Sequence, residues 1–262
     1  MQPQAFSIKK NAYPGLLSQD RDLIDAEKIL YTFCRSVVDL YARAMLRTDI
    51  QWSTPLPDGP KILAANHPTT LDPIYLLRIF PEPVSILVTA AAFDIPILGQ
   101  GLRICGHIPA VRSSGGTTVD ITARKVKSGR SVAIFPEGAL SPLAGGFHRP
   151  HSGVARVALR TGAPVIPIGI GVQRDQIRVS RATVDDDEAV GHFYLRGPYA
   201  ITVGRPLYFR GDARDHERVR DTADYVMDHI RKLAHESDAR IRARRALKAG
   251  LQSAPDLPIV AS

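Results

Sequence analysis

Two cysteines are all the sequence contains, Cys34 and Cys105. They stand far apart, match no metal-binding or dithiol spacing, and fit a reducing compartment. Aromatic residues make up only 6% of the chain, too few for a platform that stacks successive nucleobases. Long apolar runs are missing too. The longest candidate, Val84 to Leu98, is broken by Thr89, Asp94 and Pro96, and nothing approaches the roughly 18–20 residues of a spanning helix. The opening MQPQAFSIKKNAYPGLL lacks the apolar core of a signal peptide. The expectation is a cytoplasmic chain that, if it meets a membrane, lies on the inner face rather than crossing it. There is no P-loop, no H-E-x-x-H helix and no G-x-S-x-G elbow, and no internal repeat or low-complexity segment.

What is present describes a globular protein. Of 262 residues, 44% are hydrophobic and 23% charged, enough to bury a substantial core. The formal net charge is +8. Such a balance points to an anionic partner: nucleic acid, an anionic membrane surface or a phosphorylated substrate.

Apolar spacing predicts one amphipathic helix from Asp20 to Thr48, carrying Leu23, Leu30, Phe33, Val37, Tyr41 and Met45. After the loop STPLPDGP come five short apolar strands, KILAAN, VSILVT, HIPAVR, SVAIF and PVIPIGIGV. Between them lie helices at Pro73 to Phe80, Thr117 to Lys127 and Gly153 to Arg160, and a short helix or apolar loop at Phe93 to Ile104. Arg174 to Arg196, with its acidic run Asp185 to Glu188, reads as a polar surface excursion, and YAITVGRPLYF as strand-like. Arg214 to Lys248 is a charged helical tail with a break expected near Ser237, and SAPDLPIVAS is expected to be loose. The fold class is α/β, a mainly parallel central sheet flanked by helices, with an N-terminal helical segment and a C-terminal basic helix. In such sheets ligands gather on the loops beyond strand ends.

Four segments could carry chemistry. In AANHPTTLDP, His67 follows a buried strand and Asp72 comes five residues later. A neutral imidazole can remove a proton from a hydroxyl, and does so better when its other ring nitrogen donates to a carboxylate. The plainer reading makes Asn66 a turn residue, Asp72 a helix N-cap and His67 an incidental loop histidine. GHIPAVR ends in Arg112, either a guanidinium over an anionic group or a surface arginine ending a strand. In IFPEGALSP, Pro136 and Gly138 make a tight turn with Glu137 at its tip, where it could accept from an alcohol, hold a basic side chain, or belong to an ordinary turn. VIPIGI carries Pro167 inside an apolar strand, shaping a pocket wall or marking an edge.

Taken in order, Asn66–His67 with Asp72, Gly106 to Arg112, Phe135 to Gly138 and Val165 to Ile170 resemble the four blocks of the PlsC-type glycerolipid acyltransferases. Those blocks read NH-x4-D, G-x-I/L-x-x-x-R, FPEG and an apolar V-P strand. The resemblance implies an acyltransferase of phospholipid biosynthesis. His67 is then the general base and Asp72 its orienting partner, with no covalent acyl-enzyme, no metal and no cofactor. The implied co-substrate is acyl-CoA or an acyl carrier protein, and the acceptor a lyso-lipid, by default 1-acylglycerol-3-phosphate. Arg112, Phe135, Pro136, Glu137, Gly138, Ser141 and Pro167 fall in the substrate-binding blocks, and Thr69 keeps a hydroxyl where the family often has serine. The implied division is 1–55 for the helical segment, 56–210 for the acyltransferase domain and 211–262 for the tail.

This chain departs from the pattern at one place. The family's FPEG-T-R-S is FPEGALS here, so Ala139 and Leu140 replace a hydroxyl and a cation. Arg149, after Phe147 and His148, is the nearby cation that could restore the charge. The missing arginine keeps a non-phosphomonoester acceptor, such as a lyso-ornithine lipid, in view. His148 and His151 fit anion contact or plain surface better than a metal. From Arg231 to Lys248 seven cations face two carboxylates. That stretch could meet anionic headgroups, or, in a rival class, nucleic-acid phosphates, although no nucleic acid is expected.

Overall fold

The protein is described as a computed structural model covering residues 21–80, 82–111, 115–184 and 187–252. The segments MQPQAFSIKKNAYPGLL and SAPDLPIVAS, together with Arg112, Asp185 and Asp186, lie outside the described residues.

Seven strands form one sheet in the order β1-β9-β6-β2-β5-β3-β4. They are β1 (Leu46–Trp52), β2 (Ile62–Ala65), β3 (Val84–Thr89), β4 (Ile108–Ala110), β5 (Ser131–Ile134), β6 (Val165–Val172) and β9 (Gly197–Val203). Neighbours pair in parallel except β6 with β9, which are antiparallel. The helices are α1 (Arg21–Met45), α2 (Asp72–Leu77), α3 (Leu98–Ile104), α4 (Gly115–Lys127), α5 (Gly153–Thr161) and α6 (His216–Gln252).

The central strands are apolar throughout because both faces are covered. Leu63 and Ala65 of β2 join a core with α1 and α2, including Ala42, Tyr75 and Leu76. Ile62 and Ala64 point the other way, into a core built by α4, α5 and α6 through Val126, Val157, Met227 and Ile230. On that second face α6 lies directly on β6. A Cβ at Gly169 would fall 2.0 Å from the Leu233 carbonyl carbon, and one at Gly171 would fall 2.7 Å from the Asp238 nitrogen. Two glycines in a buried strand are what this approach requires.

Three expectations change. The first helix does not run to Thr48: it stops at Met45 and the chain enters β1, an edge strand paired with β9. LRTDIQW alternates too weakly to announce a strand, because only Leu46 is fully buried. The polar surface excursion after Arg174 takes a regular form that was not expected, an antiparallel hairpin of β7 (Arg178–Val184) and β8 (Asp187–Phe193). The tail does not break at Ser237. That residue is fully buried, and its hydroxyl donates to the Gly169 carbonyl at 2.9 Å and meets Thr202 Oγ1 at 2.7 Å. A serine read as a helix breaker instead fastens α6 to the sheet. No helix among the described residues is long and apolar enough to cross a membrane.

Candidate active site

The site lies beyond the C-terminal end of β2. The last β2–β6 pair is Ala65 with Ile168. Beyond it the Asn66 side chain replaces the main chain: Nδ2 donates to the Ile170 carbonyl at 2.9 Å, and the Ile170 N–H donates to Oδ1 at 2.7 Å. The ladder is thus prolonged while the backbone turns away, delivering His67 at the sheet edge.

Asp72 is fully buried and its carboxylate collects four donors. Oδ2 faces His67 Nδ1 at 3.1 Å and accepts the Thr69 N–H at 2.7 Å. Oδ1 accepts the Thr69 hydroxyl at 2.6 Å and the Tyr199 phenol at 2.8 Å. Burial, and after it the Asp72 carboxylate itself, hold the Tyr199 phenol well above its ordinary value, so it remains a donor. Asp72 is not the helix N-cap. Leu71 occupies that position and Asp72 opens α2 with its carboxylate turned back toward Thr69.

A carboxylate only accepts, so the proton between the pair belongs to Nδ1. Nε2 then carries a lone pair and has no hydrogen-bond partner among the described residues. The ring is fixed from one side by Phe135, stacked at 4.2 Å and 25°. Its side chain remains 17% exposed, enough for a small group to reach Nε2.

Glu137 is placed otherwise than its turn position implies. It is not at an exposed tip but 2% exposed, facing inward. Oε1 accepts the Ser141 hydroxyl at 2.5 Å and the His67 N–H at 3.2 Å, and Oε2 accepts the His148 N–H at 2.8 Å. Ser141, also fully buried, donates its own N–H to the His67 carbonyl at 2.8 Å. Both residues therefore brace the backbone of the His67 turn. Gly138 is exposed at φ +64°, a left-handed position where a Cβ would lie 2.6 Å from the His151 ring. Pro136 is buried, and its carbonyl accepts the His151 N–H at 2.8 Å. Arg149 is exposed on the loop that follows.

Pro167 does not mark an edge, since β6 lies between β9 and β2. Val165 exchanges both backbone bonds with Leu207, at 2.9 and 2.8 Å. Two residues on, proline's missing N–H falls on that same side, where β9 has ended at Val203 and the chain turns through Gly204. The Pro167 carbonyl accepts the Gly204 N–H at 2.8 Å.

Two further residues carry no sequence signal. Tyr199 reads as a core tyrosine in a distant strand, and nothing local ties it to Asp72. His107, in the Gly106–Arg112 block, is 8% exposed and accepts the Ile86 N–H at Nδ1, 3.1 Å away. Burial, reinforced by Arg130 and Lys125, lowers it from 6.5 to about 4.

Comparison with known proteins bears on the segment that carries this site and on its fold. Residues 47–171 match the family model described as Acyltransferase. The chain is 35% identical over 129 residues to a chloroplastic 1-acyl-sn-glycerol-3-phosphate acyltransferase of Brassica napus, covering 47% of this chain and 36% of that protein. It is 32% identical over 111 residues to the Borreliella burgdorferi 1-acyl-sn-glycerol-3-phosphate acyltransferase, covering 41% of this chain and 44% of the other. The matched stretch thus spans less than half the length of these curated relatives. The crystal structure of PlsC from Thermotoga maritima superposes with a TM-score of 0.56 over 84% of this chain and 83% of that one, at 19% identity, which is a likeness of fold. Residues 47–171 thus carry the Acyltransferase match, the relatives over that stretch are 1-acyl-sn-glycerol-3-phosphate acyltransferases, and the fold is like that of PlsC.

Proposed function

We propose that this protein transfers a fatty acyl group from a thioester, acyl-CoA or acyl carrier protein, to a hydroxyl of a lysophospholipid. The observation that carries this reading is the free Nε2 of His67, fixed by Asp72 at the end of β2. In the proposed step the acceptor oxygen attacks the thioester carbonyl carbon while Nε2 takes the hydroxyl proton. The tetrahedral intermediate collapses, the C–S bond breaks, and the departing sulfur recovers the proton from the imidazolium. An ester and a free thiol result, with Asp72 holding the imidazolium through Nδ1. The step calls for no metal and no other cofactor.

The acceptor we favour is 1-acylglycerol-3-phosphate, the substrate in the names of the relatives above. One observation keeps a second acceptor class, lyso-lipids without a phosphomonoester, in play: the loop from Gly138 to Ser141 bears no cation.

The reading also includes work at an anionic membrane surface. Ile29, Phe33, Val37 and Leu40 are 71%, 65%, 51% and 71% exposed, and their spacing lines one outer stripe of α1. The opposite side of α1 packs on α2, where Tyr41 stacks on Tyr75 and Asp39 pairs with Arg78. A stripe of this kind supports peripheral contact with lipid close to the element that carries Asp72. The tail's arginines are partly engaged elsewhere: Arg240 and Arg244 both reach Asp49.

The test is acyl transfer from labelled palmitoyl-coenzyme A, and from the acyl carrier protein thioester, to a panel of lyso-lipids. An acylated product that falls by on the order of 10³-fold in His67→Ala supports the mechanism. Equal turnover by both proteins refutes His67 as base.

A further inference from the structure

The catalytic turn and the outer end of α6 are joined through two consecutive residues. Ser141 donates its N–H to the His67 carbonyl at 2.8 Å. The next carbonyl, Pro142, accepts Arg174 Nη1 at 2.9 Å. Arg174 follows the C-terminal end of β6, which runs parallel to β2, so its guanidinium stands on the same edge of the sheet as His67. It shares a cavity of about 180 Å³ with Arg242, Arg245, Asp238 and Ile241 of α6.

The loop after the FPEG turn reaches α6 beside this cavity without lining it. Phe147 stands edge-on to His235 at 5.6 Å. His235, Asp238 and Arg242 recur at helical spacing on one face of α6. That loop also carries Arg149, exposed two residues after Phe147. The cavity between the segment that follows β6 and α6 therefore holds three arginines, Arg174, Arg242 and Arg245.

Its charge favours an anion. Asp175 is met by Arg245 at 3.3 Å, both of them exposed. Asp238 is the carboxylate facing Arg174 and Arg242, and burial acts against its charge. The cations in the cavity outnumber the carboxylates. Planar guanidiniums suit phosphate because they offer paired N–H donors to its oxygens. The loop itself has Ala139 and Leu140 where a cation could have stood, and Arg174 brings one to its backbone from another element.

We infer that the cavity between the segment following β6 and α6 is a phosphate subsite for a substrate of the acyl transfer, held by Arg174 and Arg242. This rests on the acyl-transfer reading of His67. The phosphate is that of the acceptor headgroup or that of coenzyme A, and the two are separable by experiment.

Arg242→Gln and Arg174→Gln would be assayed with matched substrates. The acceptors are 1-acylglycerol-3-phosphate and 1-acylglycerol; the donors are palmitoyl-coenzyme A and S-palmitoyl pantetheine, which has no phosphate. KM for one phosphate-bearing substrate should rise about tenfold or more, its phosphate-free counterpart should not follow, and kcat should hold. A rise confined to the acceptor assigns the headgroup; one confined to the donor assigns coenzyme A. Unchanged KM values throughout, or a uniform fall in kcat with every substrate, overturn the subsite. Calorimetric titration with coenzyme A and with glycerol 3-phosphate gives a readout independent of turnover. If wild type acylates nothing but binds one of these ligands and Arg242→Gln does not, the subsite stands and the acyl-transfer reading falls. If wild type binds neither, the subsite is overturned.

Discussion

The Tyr199 phenol donates to Asp72 Oδ1 at 2.8 Å from a strand 127 residues further along the chain. It is one of two side-chain hydroxyls on that oxygen, the other being Thr69. Together they hold the carboxylate so that Oδ2, which also accepts the Thr69 N–H, faces the imidazole. Tyr199→Phe removes one donor and keeps the ring. With one donor fewer the carboxylate is held less firmly against the imidazole, and kcat is expected to fall by about tenfold with KM unchanged. An unchanged kcat would reduce Tyr199 to core packing.

Asp72→Asn keeps the size of the side chain and adds a donor. The amide nitrogen must face Thr69, Tyr199 or His67, all donors now. Turned to His67, it calls for a lone pair on Nδ1 and moves the proton to Nε2, the wrong tautomer for a base. A kcat loss on the order of 10³- to 10⁴-fold is expected, with the tautomer read from imidazole nitrogen chemical shifts.

Glu137→Gln tests the brace under the turn. Its two oxygens serve the N–H groups of His67 and His148 and the Ser141 hydroxyl, and an amide nitrogen cannot accept from any of them. Stability should fall by about 1–3 kcal/mol, and kcat should fall more than KM rises. A change confined to KM would return Glu137 to substrate contact.

His107 makes stability depend on pH. Its folded value is about 4, below the ordinary 6.5. Above 6.5 both states are neutral and the contribution is complete. As pH falls from 6.5 toward 4, the unfolded chain takes a proton that the folded one refuses. Stability then drops, by at most about 3 kcal/mol. Urea midpoints across this window should fall more steeply for wild type than for His107→Asn, which retains an acceptor for the Ile86 N–H.

Phe33→Asp and Val37→Asp place charges on the outer stripe of α1, away from the core. Co-sedimentation with anionic vesicles is expected to fall several-fold while the melting temperature holds. Undiminished sedimentation would move the lipid contact to another surface.

Much of the architecture was legible because its central strands are buried on both faces: ILAA, SVAI and VIPIGIGV cannot be mistaken for polar loops. What escaped was polar or distant. β1 and the β7–β8 hairpin carry charged residues at exposed positions, and there backbone pairing, not apolar pattern, makes the strand. His67 and Asp72 were legible as a pair because one turn spans them. Tyr199 was not, because only the sheet brings it near. Glu137 was misplaced for a related reason: a local turn suggests a tip, but Ser141 and His148 fold back over it.

Asn66 has a consequence for how activity is lost. Its amide closes on both backbone groups of Ile170, in one of the most deeply buried strands. The His67 turn is thereby anchored to a strand buried along its whole length. The Ile170 amide proton should exchange only on global unfolding. Heat inactivation and melting should then follow one curve, with no temperature window in which a folded protein has already lost the His67–Asp72 pairing.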